Sequence, residues 1–298
     1  MKRYPITFAA QERKALWGRE LWLVSAHPSQ PSVVANGPYA GRSLPDLQAS
    51  FGAELTGKPG AGFPLLVKII ESRDRLSLQV HPSEATASLS GGDPKTEMWY
   101  VLGADPGAAL FAGLQKGIGR DALSRAVREG GAEEAVVRFE VQRGDALFIP
   151  GGLVHSIGGG CRLYEVQQTS DTTWRLYDWN RIDAQTGRPR PLHVHEGLEA
   201  IDWTLPPPTL LRADPSNKGA LISCAPFRFF VRDLASEIAL SASMEGFRIL
   251  FVDAGSCRVL MEGAEPVSLD RDACALIPAG GACQVVPTGV CRLLIAEG

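Results

Sequence analysis

GDALFIPGGLVH, residues 144–155, runs four apolar residues, Ala146 to Ile149, into Pro150, then two glycines, then Leu153, Val154 and a histidine. Ala146–Ile149 has the composition of a buried strand. Pro150 lacks the N–H a central ladder needs, and Gly151 and Gly152 supply the freedom of a tight turn. The chain should therefore reverse at 150–153 and carry His155 into the next strand, pointing inside. Gly144, Pro150, Gly152 and His155 satisfy G-x5-P-x-G-x2-H without a gap. A second stretch, DACALIPAGGAC (272–283), repeats the apolar run, the Ile-Pro and the small residues. Laying Pro150 on Pro278 puts Cys283 opposite His155, so the second copy keeps strand and turn but lacks the histidine.

Outward from these two corners, short apolar runs punctuated by Gly, Pro and Asp continue in both directions: PLLVKII, MWYVL, CRLYEVQQ, FRFFVRDL, VCRLLIAEG. Their length and spacing predict an all-β protein built as two jelly-roll barrels with a few short helices. Helices are expected in SLPDLQASFG, with Ser43 as cap, in GRDALSRAVREGG, and in EGLEAIDW. The proline-rich DWTLPPPTLLRADPSNKG reads as a linker over 202–219. The expected division is a catalytic domain over 1–201, the linker, and a degenerate C-terminal domain over 220–298.

The chain has 298 residues, 45% hydrophobic and 21% charged, with a formal net charge of −3. These values describe a globular protein and give no electrostatic case for a nucleic acid or membrane partner. The N-terminus MKRYPITFAAQERK has no apolar signal core, and no run approaches a membrane span. The six cysteines lack CxxC spacing, so reduced thiols in the cytoplasm are expected.

Two further stretches carry chemistry. In RLSLQVHPSE (75–84), Leu76, Leu78 and Val80 alternate with Ser77, Gln79 and His81. On a strand Gln79 and His81 share one face, where burial without partners is costly and a metal ion would supply the partner. In KTEMWYVL (95–102), Glu97 leads a run of large apolar residues and offers a hard oxygen ligand beside the imidazoles.

The 144–155 stretch resembles the second cupin motif, and Gln79-x-His81 followed by Glu97 resembles an altered first one. In order, LVSAHPSQPSVVANGPYAG, LSLQVHPSEATA, KTEMWYVL, FIPGGLVHSIGGG and YEVQQTSDTTWRLYDWNR look like the type I mannose-6-phosphate isomerase family in its short bacterial form. The likeness is close over roughly 15–200 and weaker beyond. It implies Gln79, His81, Glu97 and His155 as ligands of one zinc ion per chain. It also implies Lys95 and Arg175 as positively charged active-site residues and Glu165 as a further acidic residue near the pocket. One departure stands out: the family's Gly-Glu-x-Trp before SAHP is here GRELWLVSAHP, where Glu20 and Trp22 fill those places at unusual spacing, so substrate preference could differ.

The implied reaction is reversible isomerisation of mannose 6-phosphate and fructose 6-phosphate through an enediol(ate), with a small sugar phosphate as partner; the sequence leaves oligomeric state open. For the proton, Glu165 is the first candidate and a metal-bound hydroxide the second. Taken singly, the four ligands read as core polar residues, Arg175 as an ion-pair partner of Asp171 or Asp178, and Lys95 as an exposed strand end. His193 and His195 form a His-x-His that runs into a helical pattern, and His27 packs or caps; none is expected to bind metal. Two alternatives stay open: a non-catalytic sugar-phosphate-binding cupin, or a cupin enzyme of another reaction class, such as an iron oxygenase.

Overall fold

The computed structural model describes residues 1–60, 62–183, 186–214 and 218–298. In chain order the strands of the N-terminal two thirds are β1 (Gln11–Ala15), β2 (Gly18–Val24), β3 (Leu65–Ser72), β4 (Leu78–Val80), β5 (Glu97–Ala104), β6 (Ala109–Leu114), β7 (Val136–Glu140), β8 (Asp145–Ile149), β9 (His155–Ile157), β10 (Cys161–Gln168), β11 (Trp174–Tyr177), β12 (Ile182–Asp183), β13 (Arg188–Pro189) and β14 (Leu211–Arg212). They form one sheet in the order β1-β2-β3-β10-β5-β8-β14, another in the order β11-β4-β9-β6-β7, and the small hairpin β12-β13. A shared core of Trp99, Val101 and Leu147 from the first sheet and Leu110 and Ile157 from the second closes the two layers on each other. Such side chains contribute roughly 1.5–3 kcal/mol each on burial, which binds the layers together.

Beyond residue 220 follow β15 (Ile222–Ser223), β16 (Arg228–Leu234), β17 (Ile238–Leu240), β18 (Arg248–Ala254), β19 (Cys257–Leu260), β20 (Val267–Leu269), β21 (Cys274–Ile277), β22 (Cys283–Pro287) and β23 (Cys291–Glu297). Their sheets run β15-β16-β23-β18-β21 and β17-β22-β19-β20. The order β16-β23-β18-β21 repeats β3-β10-β5-β8, and β17-β22-β19-β20 repeats β4-β9-β6-β7. The second set has its own core, with Leu250, Ile277 and Leu293 against Val259 and Val285. The duplication read from two turns thus extends to eight strands. Pro150 accepts from the Leu153 N–H at 3.1 Å, and Pro278 from the Gly281 N–H at 3.0 Å, so the two corners share one turn. His155 opens β9 as Cys283 opens β22.

By contacts the chain divides into two compact units. One comprises Met1–Gln11, Trp22–Val67 and Ala213–Gly298; the other comprises Glu12–Leu21 and Lys68–Arg212. These boundaries differ from the contiguous division at 201 and 220, and the reason lies in backbone pairing. Ile6 and Leu276 exchange two hydrogen bonds of 2.9 and 2.7 Å, and Phe63 packs on Phe247 with ring centroids 4.5 Å apart. Within the expected linker, Leu211 and Arg212 pair with Ala146 and Asp145 as a sheet edge. Residues 215–217 of that linker lie outside the described residues.

Two of the expected helices fall where capping and periodicity placed them, and the third, expected over 196–203, starts earlier, at Val194, and ends at Ala200. Leu44–Phe51 begins with a reciprocal Ser43–Asp46 capping box. Arg120–Glu129 buries Leu123 and Val127 and stops at Gly130 in the left-handed region. Val194–Ala200 is the third. No helix among the described residues is long and apolar enough to cross a membrane.

Candidate metal centre and active site

The corner at Pro150 does more than turn the chain. The Gly152 N–H donates to the His81 carbonyl at 2.7 Å, and a Cβ on Gly151 would lie 2.5 Å from the Pro82 carbonyl oxygen. The turn is thereby pressed against the segment that leaves β4, and Gln79 and His155 stand opposite each other in the β4–β9 pairing. Glu97 opens the neighbouring layer at the head of β5. Ligand atoms of His81, Glu97 and His155 fall within 4.8 Å of one another, all buried. The residues share no local sequence; three strand ends bring them together.

Backbone carbonyls settle the tautomers. His81 Nδ1 lies 2.7 Å from the Thr172 oxygen and His155 Nδ1 lies 2.8 Å from the Leu153 oxygen. A carbonyl only accepts, so each Nδ1 carries the hydrogen and each Nε2 presents a bare lone pair. The two Nε2 atoms face each other at 3.2 Å, with Glu97 carboxylate oxygens 3.5 and 3.6 Å away. Burial, with Lys95 next, holds His81 well below its ordinary value, and burial brings His155 to about 4. Neutral imidazoles with converging lone pairs beside a carboxylate form a donor set suited to a divalent cation, and the carbonyl partners give each imidazole the fixed orientation such ligands need.

Gln79 reaches this cluster through its amide, with Nε2 3.2 Å from His155 Nε2 and Oε1 accepting from the Ser77 hydroxyl at 3.1 Å. The Ser77 hydroxyl can donate or accept, so turning the amide would present Oε1 to the centre without losing that bond. Lys95 is no exposed strand end: it is 5% exposed, and its ammonium lies 2.8 Å from Glu97 and 3.0 Å from His81 Nε2.

Beside the cluster a cavity of about 530 Å³ is lined by Gln79, Lys95, Glu97, Glu165 and Arg175. Glu165 faces Trp99 across the β5–β10 pair and accepts from its indole N–H at 2.7 Å. Lys68 on β3, which the sequence reading missed, bridges Glu165 at 3.0 Å and Glu20 at 3.3 Å. The available signal was a lysine inside the apolar run LLVKII, since lysines are almost never fully buried unless paired. Burial and the charge of Glu97 push the Glu165 carboxyl up, against the pull of Lys68 and Lys95. The Lys68 ammonium is held charged by Glu165 and Glu20 in spite of its burial.

Arg175 stands opposite Gln79 in the β4–β11 pair. Its guanidinium donates to the Pro191 carbonyl at 2.8 Å, while its Nε is buried without a hydrogen-bond partner. Asp178 is instead gripped by Arg181 and by Arg190, and Asp171 pairs with Arg13. His193 lies outside the metal cluster, its Nδ1 accepting the Arg175 N–H at 3.3 Å. His27 contacts Ser29 and Trp22. Among the described residues His81, Glu97 and His155 are the group that can hold a metal.

The phosphomannose isomerase type I catalytic-domain model matches residues 10–100. A mannose-6-phosphate isomerase of Streptococcus mutans is 31% identical over 295 residues, covering 92% of each chain. The mannose-6-phosphate isomerase ManA of Bacillus subtilis is 37% identical over 185 residues, which are 61% of this chain and 58% of that one. The crystal structure of the B. subtilis mannose 6-phosphate isomerase superposes with a TM-score of 0.87 at 27% identity, over 99% of both chains. A putative mannosephosphate isomerase from Archaeoglobus fulgidus shares the fold, with a TM-score of 0.77 at 22% identity. The chain belongs to the type I mannose-6-phosphate isomerase family.

Proposed function

We propose that this protein interconverts mannose 6-phosphate and fructose 6-phosphate at the cavity beside His81, Glu97 and His155, with one zinc ion per chain. The observation that carries the reading is the pair of bare imidazole nitrogens and a carboxylate set next to a second, buried carboxylate, Glu165. His81, Glu97 and His155 would hold the metal, with Gln79 as a fourth ligand once its amide is turned. When bound, the ion supplies a positive charge that polarises the substrate carbonyl and stabilises the enediolate.

The chain's own groups account for the rest. Isomerisation removes the proton from C2 of the aldose and returns it to C1 as the carbonyl moves from C1 to C2. The Glu165 carboxylate would take and return that proton. Burial and the charge of Glu97 raise its affinity for a proton above that of an ordinary carboxylate, which favours taking the proton. The Trp99 N–H and the Lys68 ammonium fix its two oxygens. Lys95 adds positive potential at the oxygens where charge develops, and Arg175 offers a guanidinium to the anionic substrate.

The test is a coupled assay for fructose 6-phosphate with protein as purified, after chelation, and after zinc is restored. Activity should vanish with chelation and return with zinc. Zinc-loaded protein that leaves mannose 6-phosphate unchanged, while still binding it, would establish the non-catalytic sugar-phosphate-binding alternative instead.

A further inference from the structure

The segment 169–173 joins β10 to β11 and carries no group of the proposed chemistry, yet it supplies the Thr172 carbonyl on which His81 Nδ1 rests at 2.7 Å. A carbonyl in a stretch without a regular ladder has no direction fixed by the ladder, so other bonds must hold it. Three side chains do so. The Ser170 hydroxyl donates to the Asp93 carbonyl at 3.2 Å and accepts the Thr172 N–H at 3.2 Å. The Thr172 hydroxyl accepts the Asp93 N–H at 3.0 Å. The Gln167 amide donates to the Ser170 carbonyl at 2.7 Å and to the Gln168 carbonyl at 2.9 Å. Gln167 and Ser170 are 1% and 2% exposed, so their bonds form in a low-dielectric surrounding where each counts for more than at the surface.

The segment alternates. Asp171 and Thr173 line the cavity, whereas Ser170 and Thr172 bond to the backbone of Asp93. The Thr172 methyl covers Gly92, where a Cβ would lie 2.4 Å from it and where φ is 77°. The stretch after Asp93 leads straight into Glu97 at the head of β5 and is tied to the same clasp. Thr96 donates its N–H to the Gln168 side chain at 2.8 Å and accepts the Gln168 N–H at 3.1 Å. Its hydroxyl accepts the Gly151 N–H of the corner at 3.1 Å. His155 is oriented differently, by the Leu153 carbonyl of its own turn.

We infer that Ser170 and Thr172 are positioning residues for the metal centre: with the Gln167 amide, their hydroxyls fasten the 169–173 segment to Asp93 and so hold the Thr172 carbonyl where it fixes the hydrogen of His81 on Nδ1. Both act through His81. A neutral imidazole has two tautomers, and only the one with its hydrogen on Nδ1 offers Nε2 to the cluster as a bare lone pair. With the carbonyl displaced, His81 can carry its hydrogen on Nε2, the atom that faces His155 Nε2 at 3.2 Å. A cation then has to displace that hydrogen before it can bind. The inference rests on the metal-centre reading for what the orientation serves, but the tautomer itself is readable with no metal present.

The test compares wild type with Ser170→Ala/Thr172→Val, which loses both hydroxyls at nearly constant volume, and with Thr172→Ser, which keeps its hydroxyl. Long-range proton–nitrogen correlation spectra of isotope-labelled, metal-free protein report the tautomer of each of the five histidines. Wild type and Thr172→Ser should show His81 and His155 with the hydrogen on Nδ1. In the double variant His81 should lose that signature while His155 keeps it. Zinc affinity, read by competition with a chromophoric chelator, should fall about ten- to a hundredfold in the double variant and stay within about threefold of wild type in Thr172→Ser. Should the double variant not fold, the isosteric Thr172→Val alone carries the same two readouts. An unchanged His81 tautomer or an unchanged zinc affinity would overturn the assignment. So would an equal change at His155, which is what a general loosening of the barrel produces, or a Thr172→Ser that falls with the double variant. Wild type that takes up no zinc would remove the metal reading, and the metal-free spectra would still decide whether the two hydroxyls hold His81.

Discussion

At the residue scale, variants of His155 and Glu165 test the proposed metal binding and the proposed proton transfer separately. His155→Ala removes one of the two bare Nε2 atoms, so the purified variant should retain well under one equivalent of zinc by elemental analysis and show no measurable turnover. Glu165→Gln keeps the shape and the Trp99 contact but cannot take a proton. It should retain its zinc and lose about 10²- to 10⁴-fold in kcat, with KM little changed. The pH profile carries the same assignment with a definite sign. As the proposed base Glu165 would act deprotonated, and burial raises its pKa, so the acid limb of kcat should lie above the ordinary glutamate value of about 4.3. Lys68 opposes that rise. Lys68→Met should therefore move the acid limb further toward alkaline pH, and a limb that stays put or moves down would remove Glu165 from the role of base.

At the scale of elements, the corner between β8 and β9 is the piece whose geometry places the site. Gly152 sits at φ 90°, and a Cβ there would lie 2.9 Å from the Asp202 side chain and 3.0 Å from its backbone nitrogen. Gly152→Ala should cost about 1–3 kcal/mol from backbone strain alone, read as a lower denaturation midpoint, and should weaken zinc binding because the Gly152 N–H anchors the His81 carbonyl. This corner was legible because Gly144, Pro150, Gly152 and His155 are local and each has a steric reason to be there. The alternation of Gln79 and His81 was legible for the same reason. Lys68 and Glu20 were not, because their meaning depends on β2, β3 and β10 lying side by side, and no periodicity in LLVKII or GRELWLV states which strand comes next. Lys95 shows the same gap: as a strand end it reads as solvent-exposed, and only the docking of the 81–83 segment on the corner encloses it, with the Lys95 N–H bound to the Pro82 carbonyl at 2.9 Å.

At the scale of the whole molecule, one eight-strand pattern occurs twice, and among the described residues only the first copy has a group that could hold a metal, His81, Glu97 and His155. Glu97 pairs with Ile149 and Gln167 across its sheet, and Arg248 pairs with Ile277 and Glu297 at the corresponding place. A cation thus stands where the first copy has its carboxylate, and Cys283 stands where it has His155. The repeat of the corner was visible in the sequence; the Arg248 substitution was not, because FRILFVDAG and KTEMWYVL align only once the sheets are known. The discontinuous units were hidden for a similar reason, since the pairing of Ile6 with Leu276 spans nearly the whole chain. Saturated protein should accordingly bind one tight zinc equivalent per chain, not two.

The measurement that tests the account most directly is turnover of mannose 6-phosphate by zinc-loaded wild type and zinc-loaded Glu165→Gln at equal, measured metal content. Fructose 6-phosphate should accumulate to equilibrium with wild type, while the variant lags by at least two orders of magnitude. Wild type that forms no fructose 6-phosphate with its metal in place would contradict the isomerase assignment, and a variant as fast as wild type would contradict the role given to Glu165.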